Sequence, residues 1–217
     1  MDTSIFYSYD FRPSLLYIYE FLSSFIPFLI ILMLSKQIQK KKGIYLSPIS
    51  FVLILVFMFY IYGVYHFTDA GTLYEGLRYK FKLRNNLNFI PFSEEIDILG
   101  YLLNVLLFIP WGIILPLIWD KMECFVYVAA AGFSFSLLIE MSQLLNIRAT
   151  DVDDLILNTA GAIVGFGLYK LFSKCTKSRY QQKGVPLSIL MLCILSSYIG
   201  RFLFFNEMGL AKLLYGF

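Results

Sequence analysis

Six long apolar segments dominate this chain and leave few folds open to it. Each approaches the roughly 20 residues that an α-helix needs to cross the hydrocarbon core of a bilayer. A backbone in lipid must satisfy its own hydrogen bonds, and a single segment of this length does so as a helix. The pattern predicts an all-α membrane protein, a polytopic bundle of about six transmembrane helices. The segments cover residues 15–34, 48–65, 98–119, 124–145, 152–172 and 186–205.

The composition supports this assignment and limits the classes of partner that the protein can bind. Of the 217 residues, 59% are hydrophobic and only 15% are charged, whereas soluble domains average roughly 25% charged residues. The formal net charge of +3 comes without a basic face, which argues against a nucleic-acid partner. Membrane lipids are the expected partners. The three cysteines form no CxxC pair, so no disulfide framework is indicated.

Lysine and arginine residues cluster in connections that belong on one side of the membrane. One cluster fills residues 36–42, and the other surrounds the end of the fifth segment at residues 170–183. Because positive residues favour the cytoplasmic side, we expect both clusters to be cytoplasmic. Both chain termini, the long connection over residues 67–97 and the turn over residues 146–151 then face outward. The long connection carries basic residues too, but acidic residues accompany them.

Residues 140–165 place many polar side chains between two apolar segments. An ionisable group at membrane depth costs on the order of 3 kcal/mol on insertion scales, so these charges need partners or a use. Glu140 and Gln143 share a helical face because they are three residues apart. Arg148, just beyond the fourth segment, can clamp a carboxylate or a phosphate. Two interpretations stay open: a buried Glu–Arg or Glu–Asn pair that fixes helix register, and a site for a substrate or headgroup.

A stripe of polar and small residues follows one face of the fifth segment, because its members are three or four residues apart. Asp151, or Thr150 before it, is expected to cap the helix. The two glycines form a small-xxx-small pair that lets helices pack closely. Asp153 lies off the stripe and is interpreted as a surface or capping residue. The members of the stripe are Asp151, Asp154, Asn158, Gly161 and Gly165.

The third segment contributes an amide and several helix-breaking residues. Asn104, well inside the segment, can hold a neighbouring helix or a ligand. Pro110, Gly112 and Pro116 predict a kink or a break, which is tolerated only where neighbouring groups satisfy the freed carbonyls. Before this segment Asn88 precedes an Ile-Pro-Phe sequence, which is typical of a capping turn or a short re-entrant lip.

Together these motifs resemble the VanZ-like family of membrane proteins over residues 69–172. The resemblance implies a multi-pass protein of the bacterial cell membrane and a link to reduced susceptibility to teicoplanin, a glycopeptide with a lipid tail. Family members often carry an aromatic residue near Ala149 and Thr150, which are small here. The motifs are Asn88-x-x-Pro91-Phe92, Asn104-x-x-x-Phe108-x-Pro110-x-Gly112 and Glu140-x-x-Gln143, followed by Arg148, Asp151, Asp154, Asn158, Gly161 and Gly165.

We therefore expect three parts in the chain. Residues 1–66 hold two N-terminal transmembrane helices, and residues 67–172 form the VanZ-like membrane domain, a long outward loop with three transmembrane helices. Residues 173–217 hold a basic cytoplasmic loop and a C-terminal transmembrane helix.

Three functions stay open. In the first, an outward polar cleft binds a lipid-like or glycopeptide ligand, or alters the surface that such ligands use. In the second, an intramembrane enzyme modifies a lipid headgroup or a lipid-linked wall precursor, with Glu140 and Asp154 as an acid–base pair. In the third, the protein is a structural or assembly subunit. The candidate ligand-binding residues are Arg148, Gln143, Asn158, Asn104, Asp151 and Asn88.

Other chemistry has weaker support in the sequence. No cofactor and no zinc set is expected, since His66 is the only histidine and no cysteine pair accompanies it. A hard cation held by the carboxylates of residues 140, 151 and 154 is a minor alternative. His66 is interpreted as an interface residue. Arg201, in the sixth segment, is expected either to snorkel outward or to pair with Glu20.

Overall fold

The computed structural model describes residues 13–78, 87–88, 90–93, 97–145, 150–175 and 185–215. Within these ranges the chain is helical apart from turns, a short 3-10 helix at Asp120–Met122 and two strands of two residues each. The strands are β1 (Leu87–Asn88) and β2 (Thr150–Asp151). The α-helices are α1 (Pro13–Lys41), α2 (Pro48–Phe67), α3 (Leu73–Arg78), α4 (Ile98–Ile118), α5 (Phe125–Gln143), α6 (Val152–Cys175), α7 (Leu187–Phe204) and α8 (Glu207–Tyr215).

Six of these helices confirm the predicted all-α membrane fold. Helices α1, α2, α4, α5, α6 and α7 are each long and apolar enough to cross a membrane, and they begin and end close to the predicted positions. Helix α1 continues to Lys41, beyond the predicted end of its apolar segment. Its last turns are rich in lysine and glutamine, which favour helix without being apolar.

The short helix α3 was not predicted, although its start has a clear sequence signature. Thr72 and Glu75 form a reciprocal capping box: the Thr72 amide donates to Glu75 Oε2 at 2.7 Å, and the Glu75 amide donates to Thr72 Oγ1 at 3.3 Å. Burial raises the pKa of the Glu75 carboxyl above its usual range. The helix lies inside a connection that hydropathy alone marks only as polar.

The closest helix pair is α4 with α6, and glycines make it close. A Cβ atom added at Gly161 would collide with the carbonyl oxygen of Val105, and one at Gly165 with that of Ile109. On the opposite helix, a Cβ at Gly112 would collide with the Ala162 carbonyl oxygen. The backbones therefore touch directly, as in other small-residue interfaces in membranes. The predicted packing role of Gly161 and Gly165 is confirmed.

Helix α4 continues through both of its prolines, so of the predicted kink or break the break does not occur. Pro110 removes a backbone donor and disturbs the preceding turn. The carbonyl oxygen left without its helical donor is that of Leu106, four residues earlier. Next to it, the Tyr60 hydroxyl of α2 donates to the Leu107 carbonyl oxygen at 2.9 Å, so a neighbouring helix binds the backbone of this turn. Gly112 packs against α6 and does not open the helix.

A buried ion cluster joins α1, α2 and α7. Arg201 Nε donates to Glu20 Oε1 at 2.9 Å, and His66 Nδ1 lies 2.7 Å from Glu20 Oε2. Arg201 also donates to the Ala70 carbonyl oxygen, in the connection that follows α2. Glu20 and Arg201 are both buried. Of the two predicted arrangements for Arg201, pairing with Glu20 is therefore the one that occurs.

The α4–α6 interface gives a first prediction. Replacing Gly165 with alanine should destabilise the protein by about 1–3 kcal/mol, because the new methyl group meets backbone and cannot be accommodated by a rotamer change. The melting temperature of the detergent-solubilised protein, followed by size-exclusion chromatography after heating, measures this effect.

The matched control is Gly167→Ala on the same helix, where an added methyl meets no atom within 4 Å. This variant should melt at or slightly above the wild-type temperature, because alanine is the better helix former. Equal melting temperatures for the two variants would contradict the packing argument.

The ion cluster gives a second prediction. Arg201→Met should destabilise by about 3–5 kcal/mol, because it leaves the Glu20 carboxylate buried without its guanidinium partner. The double variant Glu20→Gln with Arg201→Met should recover part of this loss, since no unpaired charge then remains. A double variant that is no more stable than Arg201→Met alone would argue against the ion pair. Both are measured by the same melting assay.

Candidate functional site

A polar cavity of about 620 Å³ lies among the N-terminal half of α4, the C-terminal end of α5 and the N-terminal end of α6. The end of α2 closes one side with Phe67 and Thr68. The apolar part of its wall comes mainly from leucines of α4. Five of the eight predicted site residues lie on this wall: Asn104, Glu140, Gln143, Asp154 and Asn158.

The contact between α4 and α6 positions the first pair. Asn104 Nδ2 donates to Asp154 Oδ1, and both residues are half-buried. This bond joins an amide of α4 to a carboxylate at the start of α6, about two turns of α6 before the glycine contacts. A carboxylate that accepts hydrogen bonds is held in one orientation, so Asp154 presents a defined surface to the cavity.

In Gln143 and in Asn158, the NH2 group of the side-chain amide is hydrogen-bonded to another part of the protein. Gln143 Nε2 donates to the Thr68 carbonyl oxygen at 2.6 Å, and Asn158 Nδ2 donates to Ser136 Oγ at 2.9 Å. Both residues are almost fully buried, with exposed fractions of 4% and 3%. Their amide oxygens, Oε1 and Oδ1, have no hydrogen-bond partner. Buried acceptors of this kind are uncommon in folded proteins.

Glu140 connects the cavity to the start of α6. It is 2% exposed, and its Oε2 accepts from the Asp151 amide at 3.2 Å. Asp151 in turn accepts from the Asp153 amide at 3.0 Å, which is the bond that an N-cap residue makes. The predicted capping role of Asp151 is confirmed, and Asp151 does not line the cavity. Arg148, the proposed partner of Glu140, lies outside the described residues.

Asp153 is not a surface residue, so that interpretation was wrong. It is 1% exposed and accepts two hydrogen bonds, from the Phe92 amide at 2.9 Å and from the Tyr101 hydroxyl. Its partners lie more than 50 residues away in the sequence, where a helical wheel cannot show them. The available signal was Tyr101, which precedes Asn104 by three residues and so shares its face of α4.

Asn88 forms a turn and does not contribute to the cavity wall. Its Oδ1 accepts from the Ile90 amide at 3.1 Å and from Ser93 Oγ at 2.9 Å, which is an Asx turn. Strand β1 pairs in parallel with β2, with Leu87 opposite Thr150 and Asn88 opposite Asp151. Of the two predicted forms, the capping turn is therefore the one observed, and it joins the long connection to the start of α6.

The connection after α2 is docked on the end of α5, which sequence reasoning did not predict. The Gly71 amide donates to Ser142 Oγ at 3.0 Å, and Ser142 Oγ donates to the Ile139 carbonyl oxygen at 2.6 Å. A Cβ at Gly71 would collide with the Ser142 backbone, so only glycine allows this approach. Together with the bond from Gln143 to Thr68, these contacts fix the α2 side of the cavity.

Among the described residues, no group of three or more His, Cys, Asp and Glu side chains is arranged to hold a metal ion. His66 belongs to the ion cluster with Glu20 and does not line the cavity. The wall of the cavity offers hydrogen-bond acceptors and carboxylates beside apolar side chains. This combination suits a ligand with one polar and one apolar part.

Asp153 supports a third prediction, because two donors depend on its carboxylate. Asp153→Ala should destabilise by about 1–3 kcal/mol, since the Phe92 amide and the Tyr101 hydroxyl lose their acceptor. Asp153→Asn keeps one acceptor oxygen and should therefore lose less stability than Asp153→Ala. Thermal melting in detergent ranks the variants, with Tyr101→Phe as the control that removes only one of the two bonds. A melting temperature for Asp153→Ala equal to that of the wild type would disprove the structural role.

Comparisons with known proteins agree with the motifs. The VanZ/LLP1 family pattern matches residues 49–173. Protein VanZ of Enterococcus faecium is 28% identical over 119 residues, which cover 53% of this chain and 72% of that protein. No solved structure gives a significant match. The matched region contains every residue of the cavity wall, whereas Glu20 and Arg201 of the ion cluster lie outside it.

Proposed function

This chain belongs to the VanZ/LLP1 family of multi-pass membrane proteins, and we propose that its polar cavity engages lipid-like ligands of the bacterial cell surface. Through this engagement, or by altering the surface that such ligands use, the protein contributes to resistance against glycopeptides such as teicoplanin. The resistance role rests on the resemblance to VanZ-like proteins. The role of the cavity rests on its geometry.

The observation that carries the proposal is the pairing of a polar floor with an apolar, lipid-accessible wall. Glu140, Gln143 and Asn158 lie buried at one side of the cavity, while Leu103 and Leu106 of α4 line it and are 55% and 48% exposed. In a bilayer such exposed leucines face acyl chains. An amphiphile can therefore place its polar group in the cavity and keep its tail in lipid. The volume is within the roughly 300–1,000 Å³ of small-molecule sites.

The positive residues support an outward opening for the cavity. The cavity lies at the ends of α2 and α5 and at the starts of α4 and α6. The basic clusters at residues 36–42 and 170–183 lie at or beyond the opposite ends of these helices. If the basic ends are cytoplasmic, the cavity meets outer-leaflet lipids and exogenous molecules.

A second candidate function follows from the two carboxylates on the same wall. Glu140 is almost completely buried, whereas Asp154 is half-buried and accepts from Asn104. Two carboxyl groups in different environments can act as acid and base, so an intramembrane enzyme acting on a lipid headgroup or a lipid-linked wall precursor is the alternative. Comparative lipidomics of a deletion strain complemented with wild type or with Glu140→Gln tests the enzyme, because catalysis predicts a lipid difference between the two strains and ligand binding alone predicts none.

The resistance proposal gives a fourth prediction. The gene is deleted, and the strain is complemented either with the wild-type gene or with Gln143→Met at the same level of protein in the membrane. The strain that carries Gln143→Met should be several-fold more susceptible to teicoplanin. Methionine keeps the size of the side chain but removes the amide from the cavity wall. The minimal inhibitory concentration of teicoplanin is the measurement.

The control is Ser134→Ala on the same helix, whose hydroxyl donates only to the Ala130 carbonyl oxygen and which is absent from the cavity wall. It should complement fully. An unchanged susceptibility on deletion of the gene would refute the resistance role. Full complementation by Gln143→Met would refute the role of the cavity.

A further inference from the structure

The amide groups on the cavity wall all direct donors to protein oxygens. Asn104 donates to Asp154, Gln143 to the Thr68 carbonyl and Asn158 to Ser136. The orientation of Gln143 is fixed, because a carbonyl oxygen can only accept and so must face the NH2 group. The oxygens of two of these amides, Gln143 Oε1 and Asn158 Oδ1, have the opposite polarity. Both atoms are buried and without a partner, and both residues line the cavity.

The charged residues of the wall have the same polarity. The carboxylates of Glu140 and Asp154 line the cavity, and Asp97 adds a third at its exposed margin. Asp97 precedes α4 but makes no side-chain capping bond, so its carboxylate remains available. The described lining residues include no lysine, arginine or histidine. Acceptor oxygens thus predominate on the described polar surface.

We propose that the cavity takes the primary ammonium group of an amphiphile, an assignment that rests on the proposed function of the same cavity and specifies its ligand. An ammonium group carries three donors and no acceptor, so it can bind Gln143 Oε1 and Asn158 Oδ1 while a wall carboxylate balances its charge. A phosphate or carboxylate headgroup would leave these oxygens without donors and place like charges together. A quaternary ammonium brings charge but no donor.

A series of single-chain amphiphiles with identical tails tests the assignment. The probes are dodecylamine, dodecyltrimethylammonium and dodecyl phosphate, titrated calorimetrically against the full-length protein in phosphatidylcholine nanodiscs, with empty nanodiscs as the blank. Dodecylamine should bind at least about tenfold more tightly than the other two, which corresponds to one charge-assisted hydrogen bond.

Variants of the wall residues test whether dodecylamine binds in this cavity. Gln143→Met should weaken dodecylamine binding about tenfold, because it removes one unpartnered acceptor. Asn158→Asp keeps an acceptor oxygen and adds a negative charge, so it should bind dodecylamine at least as tightly as the wild type, and weaker binding would contradict the assignment. This second variant keeps the test decisive if Gln143→Met does not fold. Ser134→Ala, remote from the wall, should bind like the wild type.

Competition identifies the source of the ammonium group. A lipid source predicts that phosphatidylethanolamine in the nanodisc weakens dodecylamine binding, and an amino-sugar source predicts that free glucosamine does so. If either compound competes with dodecylamine, the proposal is supported. If neither compound competes, the proposal is overturned.

Three further results overturn the proposal: tighter binding of dodecyl phosphate, equal binding of dodecylamine and its quaternary analogue, or no binding of any probe. These results leave the proposed function intact, because the susceptibility difference caused by Gln143→Met is measured independently. Conversely, full complementation by that variant refutes the role of the cavity in resistance, whichever amphiphile binds.

Discussion

The backbone contact between α4 and α6 is the constraint on which the candidate site depends. Gly112, Gly161 and Gly165 bring the two helices so close that a methyl group at any of them would strike the opposite helix. About two turns nearer the start of α6, that closeness places Asn104 against Asp154 and Tyr101 against Asp153. Without it the polar side chains would be left unpaired at membrane depth, where burial without a partner is costly. The glycines and the polar pairs therefore require each other.

A second set of contacts couples the cavity to helices outside the family-matched region. The connection at residues 68–72 accepts a hydrogen bond from Gln143 on one side and from Arg201 on the other. Arg201 is itself paired with Glu20 of α1. Helices α1 and α7 thus brace the α2 side of the cavity from outside the matched residues 49–173. The ion cluster and Gln143 are therefore linked by hydrogen bonds to the same connection.

Local patterns predicted much of this structure, and the failures have one cause. Apolar length located the six long helices, residue spacing located the glycine contact, and the polar residue before α6 identified Asp151 as its cap. The errors concern partners remote in sequence: Asp153 accepts from Phe92 and Tyr101, and Tyr60 donates to the turn before Pro110. Periodicity reports which face a residue occupies, but not which donor another helix brings to it.

The unpartnered oxygens of Gln143 and Asn158 give the cavity its binding potential. Leaving a buried acceptor without a donor costs about 1–3 kcal/mol, and bonds at the other end of each amide, to Thr68 and Ser136, prevent these side chains from turning away. A ligand that brings donors to both oxygens gains two hydrogen bonds to side chains that are already held in place. A ligand that brings acceptors gains neither, so the same two atoms provide both affinity and selectivity.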